Sequence, residues 1–162
     1  MKGLLRQKTE VVDLDENEVY TGVLNIWKST NGGTDFTKVN NWYSPNSASY
    51  SHADIHLLRF YDGVLFTGTD GGFYKTIDGG ITWNQIHNGL PKEKGKMAIA
   101  VSRSNSEKVY ALVESDSNKE LGGLFASSNG GEKWSRISSD HSLIQRAFYY
   151  LERLFKSTET YV

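Results

Sequence analysis

Short runs of alternating apolar and polar residues, separated by Gly, Asn, Asp and Ser, mark the chain along its length. Alternation over a few residues is the pattern of a half-buried β-strand, and the breaks between runs carry turn chemistry. One stretch gives four such segments, at 55–60, 64–67, 72–76 and 82–86. The next gives four at 97–101, 109–113, 123–127 and 133–137. An earlier stretch gives 10–14, 19–21, 25–29 and 35–39, and the last gives 149–155 and 160–162. Asp62-Gly63 is a two-residue hairpin signal between the first two segments of the second group. The pattern predicts an all-β chain of antiparallel strands in groups of four.

Two sequence markers share one period. The first is a strand core: Val19-Tyr20-Thr21-Gly22, Leu65-Phe66-Thr67-Gly68, Val109-Tyr110-Ala111-Leu112 and the final Thr160-Tyr161-Val162. Its aromatics fall at 20, 66, 110 and 161, in steps of 46, 44 and 51. The second is a turn that reads hydroxyl, any, Asp/Asn, Gly, Gly, any, any, aromatic. Its copies are Ser29 to Phe36, Thr76 to Trp83 and Ser127 to Trp134. Asn31, Asp78 and Asn129 are spaced by 47 and 51. A repeat of about 40–50 residues signals a radial or stacked array. Four-stranded antiparallel units repeated in this way are the blades of a β-propeller, whereas the rungs of a β-solenoid are shorter. The expectation is a partial propeller over 1–162, with blades at about 10–39, 55–87 and 97–138 and a half blade at about 149–162.

The turn copies read as scaffold. A short Asp or Asn side chain accepts hydrogen bonds from the turn's backbone, and a Ser or Thr hydroxyl joins it. That assigns Ser29, Asn31, Gly33 and Phe36, then Thr76, Asp78, Gly80 and Trp83, then Ser127, Asn129, Gly131 and Trp134, to structure. The glycines supply positive φ, and the aromatics are expected to open the fourth strand and cover the hairpin. Calcium fits these turns poorly, because each offers one or two ligands against the roughly six oxygens the ion takes.

Composition narrows the function classes. Formal net charge is −1, so nothing points to a nucleic-acid backbone or an anionic membrane surface. The absence of cysteine excludes a disulfide scaffold and thiolate metal sites. No apolar run approaches the roughly 20 residues of a membrane span, and Met1 to Lys8 lacks the apolar core of a signal peptide. No cofactor motif is present, and the expectation is no cofactor and no bound metal.

The three turns resemble Asp-box repeats, also called bacterial neuraminidase repeats, with Thr76 to Trp83 nearest the pattern Ser/Thr-x-Asp-x-Gly-x-Thr-Trp/Phe. The stretches Asn25-Ile26-Trp27-Lys28-Ser29-Thr30 and Gly71-Gly72-Phe73-Tyr74-Lys75-Thr76 are similar to secreted bacterial propellers of the sortilin-like and xyloglucanase-like (glycoside hydrolase family 74) type. The resemblance implies a propeller of a secreted or cell-surface protein, with its ligand site on the face that carries the inter-blade connections. Asp-box propellers include sialidases, xyloglucanases, sortilins and non-enzymatic proteins, so the likeness specifies fold more than function.

The long connections expected on that face are 40–54, 87–96, 114–121 and 138–147. The first is the richest in chemistry. His52, Asp54 and His56 alternate, so a strand there would place all three on one face. They read as a polar cluster for a ligand or divalent ion, or as a hydrogen-bonded tie between blades. Trp42, Tyr43 and Tyr50 stack on sugar rings if exposed, or bury the loop. Arg146 and Tyr149 face the channel or anchor the last blade. Glu114, Asp116 and Glu120 crowd one connection, and a glycosidase needs two carboxylates about 5–9.5 Å apart. The catalytic residues, if any, are unassigned. The expectation is a non-catalytic scaffold or binding module that recognises polysaccharide or extracellular protein and takes another chain or further blades to close the ring. The rival is a fragment of a xyloglucanase-like or sialidase-like glycoside hydrolase.

Overall fold

The computed structural model describes residues 8–12, 15–95, 97–102, 104–115 and 118–143. The chain forms two compact units, Met1–Ile86 and His87–Val162.

The first unit holds two four-stranded antiparallel sheets. Sheet one runs β1 (Lys8–Val12), β2 (Asp15–Gly22), β3 (Ile26–Ser29) and β4 (Thr37–Lys38) in that spatial order. Sheet two repeats the order with β5 (Ile55–Tyr61), β6 (Val64–Thr69), β7 (Gly72–Thr76) and β8 (Asn84–Gln85). The second unit holds sheet three, β9 (Met97–Ser102), β10 (Asn105–Val113), β11 (Gly123–Ser127) and β12 (Ser135–Ser138). Two 3-10 turns, Lys119–Leu121 and His141–Leu143, flank it. The segments expected at 149–155 and 160–162 lie outside the described residues.

β7 and β11 have the bounds their patterns give, while the fourth strands are shorter and start later. Strand β8 has two residues, and β12 begins one residue after Trp134. The motif aromatics therefore precede the fourth strand instead of opening it. In sheets two and three the amide of the motif aromatic has a competing partner. The Trp83 amide donates to the Ala48 carbonyl at 2.8 Å, and the Trp134 amide donates to the Asn88 carbonyl at 2.8 Å. Each amide is held by the connection that leads into its own sheet and is lost to the ladder.

In the first unit, Tyr20, Ile26, Ile55, Leu58, Leu65, Tyr74 and Trp83 form one buried cluster, with Val39, Tyr50 and Phe60 packed on it. The two sheets meet closely. A β-carbon on Gly22 would lie 2.8 Å from the Ile55 side chain, so only glycine admits this approach. The turn before β8 docks on sheet one. A β-carbon on Gly79 would lie 2.7 Å from Lys28 Nζ, and one on Gly80 would lie 2.7 Å from Val39. The Trp83 indole N–H donates to the Val39 carbonyl at 2.8 Å.

Behind Gly79 sits a charged latch. Lys28 Nζ is 2.8 Å from Glu18, and the Tyr20 hydroxyl donates to Glu18 at 2.8 Å. Burial pushes the Tyr20 phenol up to about 12, with Lys28 opposing and Glu18 adding to the shift. Burial pulls Lys28 down, but its hydrogen bonds to Glu18 and Tyr20 outweigh that and hold its ammonium above the usual range.

In the second unit, Ile99, Val109, Ala111, Val113, Phe125 and Trp134 are buried. Leu112 packs with Ala98, Leu124 and Leu143. Gly89, with φ 95°, lies under Trp134, whose carbonyl oxygen would be 2.2 Å from a β-carbon there. Among the described residues no helix is long and apolar enough to cross a membrane.

Candidate functional site

The repeated turns share one hydrogen-bond scheme. In each, the hydroxyl of Ser29, Thr76 or Ser127 donates to the side-chain oxygen of Asn31, Asp78 or Asn129, at 2.9, 2.8 and 2.8 Å. The same hydroxyl oxygen accepts from the amide of Gly33, Gly80 or Gly131, each at 2.9 Å. The Asn or Asp oxygen then accepts the amide four residues on, from Asp35, Thr82 or Lys133, at 2.9, 2.9 and 3.0 Å. Both glycines of every turn have positive φ, from 62° to 95°. The polar atoms of these turns are thus turned inward on their own backbone. Trp83 and Trp134 are buried, whereas Phe36 is 40% exposed and covers its turn incompletely.

The three turns differ at the fourth residue after the Asn or Asp. Thr82 donates its hydroxyl to Asp78 at 2.6 Å, while Asn31 donates its own amide to Asp35 at 3.0 Å. Hydrogen bonds from the Thr82 hydroxyl and amide hold the Asp78 carboxyl down at about 2.

The other end of the first unit's sheets carries the connection at 40–54 and the turns between second and third strands. The connection is pinned along its length. Buried Asn40 accepts from the Ile26 amide at 2.7 Å and donates to buried Ser51 at 3.0 Å. The Asn41 amide donates to the Ser49 carbonyl at 2.9 Å, which closes the loop on itself. Serines 44, 47 and 49 satisfy the turn at its tip.

The expected one-faced arrangement of His52, Asp54 and His56 is not formed. Strand β5 begins at Ile55, and Asp54 has φ 60°, so strand alternation does not extend back to His52. The β5–β6 register also shifts between Ile55 and Leu57. His52 lies over Gly71, where a β-carbon would meet its ring at 2.5 Å, and its Nδ1 is 3.1 Å from the Ala53 carbonyl. His56 instead pairs with Asp70, in the turn between β6 and β7. Among the described residues no three His, Asp or Glu side chains are grouped to hold a metal ion.

Asp70 was hidden in the sequence as an ordinary turn residue. The Asp62-Gly63 hairpin carries the signal, because antiparallel pairing outward from it brings 69–70 opposite 55–56. Asn40 and Ser51, which anchor the connection, had no sequence signal beyond their polarity.

The aromatics of the connection divide. Tyr43 is 70% exposed and stacks on half-buried Trp42, with ring centroids 3.7 Å apart and an interplanar angle of 27°. Tyr50 packs inward, edge-on to Tyr74 at 6.0 Å. Burial, and then Tyr50, push the Tyr74 phenol upward. Of the acidic residues, Glu114 is half-buried and Glu120 is exposed, while Asp116, Arg146 and Tyr149 lie outside the described residues.

No family model matches the chain, and no curated protein matches it. Solved structures do. A GH74 enzyme from Niastella koreensis is 22% identical over 83% of this chain and 22% of its own, with a TM-score of 0.52. YCF48 from Cyanidioschyzon merolae is 15% identical over 85% of this chain and 39% of its own, with a TM-score of 0.53. A structure of YCF48 bound to D1 peptide is 15% identical over 80% and 43%, with a TM-score of 0.50. The chain thus spans about a fifth of the enzyme and about two fifths of the YCF48 chains. This likeness, with three four-stranded antiparallel sheets, makes the chain an all-β partial β-propeller.

Proposed function

We propose that the chain is a non-catalytic Asp-box propeller module, of a secreted or cell-surface protein, that binds polysaccharide or protein through the connection-bearing end of its sheets. One observation carries the reading: Tyr43 stands 70% exposed, stacked on Trp42, on a connection whose backbone is fixed by Asn40 and Ser51. An exposed tyrosine backed by a half-buried tryptophan gives large contact area at little ordering cost. His52, over Gly71, and the His56–Asp70 pair lie at the β6–β7 turn of sheet two and would supply polar contacts to a ligand at that end. YCF48, solved with a bound peptide, is a protein of this fold in which binding is the recorded property.

The ligand class is tested by titrating the protein with a panel of soluble polysaccharides and extended peptides while following tryptophan fluorescence. The expected result is saturable binding to one class, weakened at least about tenfold by Tyr43→Ala. Binding that ignores Tyr43→Ala and Trp42→Ala would remove the aromatic pair from the site. Absence of binding to either class would overturn the reading. The second reading, a piece of a glycoside hydrolase, is favoured by the GH74 neighbour. It is tested on the longer protein, where release of reducing sugar from a bound glycan would support it and its absence would count against it.

A further inference from the structure

The sequence contains three Asn-Gly steps, at Asn31-Gly32, Asn88-Gly89 and Asn129-Gly130. At such a step the asparagine side chain is open to attack by the next residue, because glycine has no side chain to stand in the way. The glycine amide nitrogen gives its proton to hydroxide and attacks the asparagine Cγ. The N–Cγ bond forms, the Cγ–Nδ2 bond breaks, ammonia leaves with a proton from water, and a cyclic imide remains. Water then opens the imide. Opening at the side-chain carbonyl gives aspartate. Opening at the main-chain carbonyl gives isoaspartate, in which the chain runs through Cβ and Cγ and the former main-chain carbonyl becomes a free carboxylate. The balance is amide and water to acid and ammonia, with no oxidant or reductant.

Exposure does not separate the three sites, since Asn31, Asn88 and Asn129 are all exposed. Nor does the main-chain carbonyl, which accepts one bond in each case. Asn31 accepts from the Thr34 hydroxyl at 3.1 Å, Asn88 from the Trp134 amide at 2.8 Å and Asn129 from the Glu132 amide at 3.2 Å. The two reacting groups do separate them. The Asn31 side-chain oxygen accepts from Ser29, Thr34 and Asp35, and its amide donates to Asp35. The Asn129 side-chain oxygen accepts from Ser127 and Lys133. The attacking nitrogens are occupied as well: Gly32 donates to the Asn17 carbonyl at 2.9 Å and Gly130 to the Glu107 carbonyl at 3.0 Å. At the middle step both groups are unengaged. Among the described residues, neither the Asn88 side chain nor the Gly89 amide has a hydrogen-bond partner. The turn around them is closed by a single bond of its own, from the Leu90 amide to the His87 carbonyl at 2.9 Å.

We infer that Asn88 is a modification site, at which the folded chain deamidates and isomerises spontaneously while the repeated turns protect Asn31 and Asn129. The position gives the reaction a structural consequence. Gly89 lies so close under Trp134 that a β-carbon on it would be 2.2 Å from the Trp134 carbonyl oxygen. Isoaspartate adds one carbon to the main chain immediately before Gly89 and removes from it the carbonyl that accepts the Trp134 amide. The close approach and the tie are then lost together. The reaction runs one way, so it is a slow release of Trp134 from the connection that precedes its own sheet.

The test is to age the folded wild-type chain in mildly alkaline buffer and follow each asparagine by proteolysis and mass spectrometry. Isoaspartate is counted with a protein-isoaspartyl methyltransferase. Acid forms at Asn88 should accumulate at least about tenfold faster than at Asn31 or Asn129, the effect of the two or more additional hydrogen bonds that must open there. In urea the three rates should draw together, because the protection belongs to the fold. Asn88→Gln keeps the main-chain carbonyl but disfavours the ring, and should abolish most of the methyltransferase signal. The isoaspartyl form should unfold at lower urea concentration than a fresh Asn88→Asp variant, which carries the same charge on an unlengthened chain. Equal rates at the three sites in the folded chain would overturn the inference, as would slower reaction at Asn88 than at the other two. An isoaspartyl form as stable as Asn88→Asp would overturn the link to Trp134.

Discussion

Asn31 and Asn129 stand where the middle turn has Asp78, and their neighbours explain why the exchange has a direction. Asn31 must donate to Asp35 as well as accept from the backbone, which only an amide does. Asn31→Asp should cost about 0.5–1 kcal/mol, because it removes one hydrogen bond and faces one carboxylate with another. Asn129→Asp keeps its acceptor and places charge near Lys133, so it should be neutral within about 0.5 kcal/mol. Urea unfolding of the two variants checks the contrast. Asp78→Ala should cost about 1–2 kcal/mol, since it unpairs the two hydroxyls and the amide that converge on it. The Asp78 carboxyl is held below its unfolded value of about 3.9. Its contribution is therefore fully present above pH of about 4 and is lost as pH falls toward its folded value of about 2. Asp78→Asn should flatten the acid limb of stability in that window, and equilibrium unfolding between pH 5 and 2 (roughly the span of the two values) measures it.

Between sheets, glycine marks how close two elements come. Gly33 and Gly80 have the same place in their turns and similar φ, 87° and 95°. Alanine at either loses the left-handed freedom, about 1–2 kcal/mol. Gly80→Ala should cost more than Gly33→Ala, because its β-carbon also meets Val39. The difference in unfolding free energy between the two variants reports the docking of turn on sheet. Gly22→Ala, which drives a methyl into Ile55, should cost about 1–3 kcal/mol by overpacking. Elements governed by local chemistry were legible in the sequence. Period-two alternation and the Asp/Asn-Gly-Gly turns place β7 and β11 to the residue. The short fourth strands were not, since the loss of the Trp83 amide to Ala48 is a contact 35 residues away, from 48 to 83. The histidine cluster failed for a related reason. Alternation assumes an extended backbone, and the left-handed Asp54 ends it before His52. The pairing of His56 with Asp70 depends on hairpin register, which no single segment displays.

For the molecule as a whole, the turns and connections supply their own hydrogen-bond partners, and this bears on what stabilises it. Because Asn31, Asp78 and Asn129 spend their oxygens on hydroxyls and amides, neither calcium nor EDTA should move the thermal midpoint. A calcium-dependent rise in melting temperature would show a ligand set the turns do not contain. Division into two compact units, Met1–Ile86 and His87–Val162, gives calorimetry a direct comparison between one transition and two. The tie from Ala48 to Trp83 also has a consequence for the newborn chain. The connection leaves the ribosome first, and its partner amide follows 35 residues later; for Asn88 and Trp134 the gap is 46. At about 5–20 residues per second, the first connection waits roughly 2–7 s before its tie can close. During that interval Tyr43 and Trp42 sit on a connection held only by its own hydrogen bonds and by Ile26, so a translational pause before Trp83 would lengthen the time available for chaperone capture.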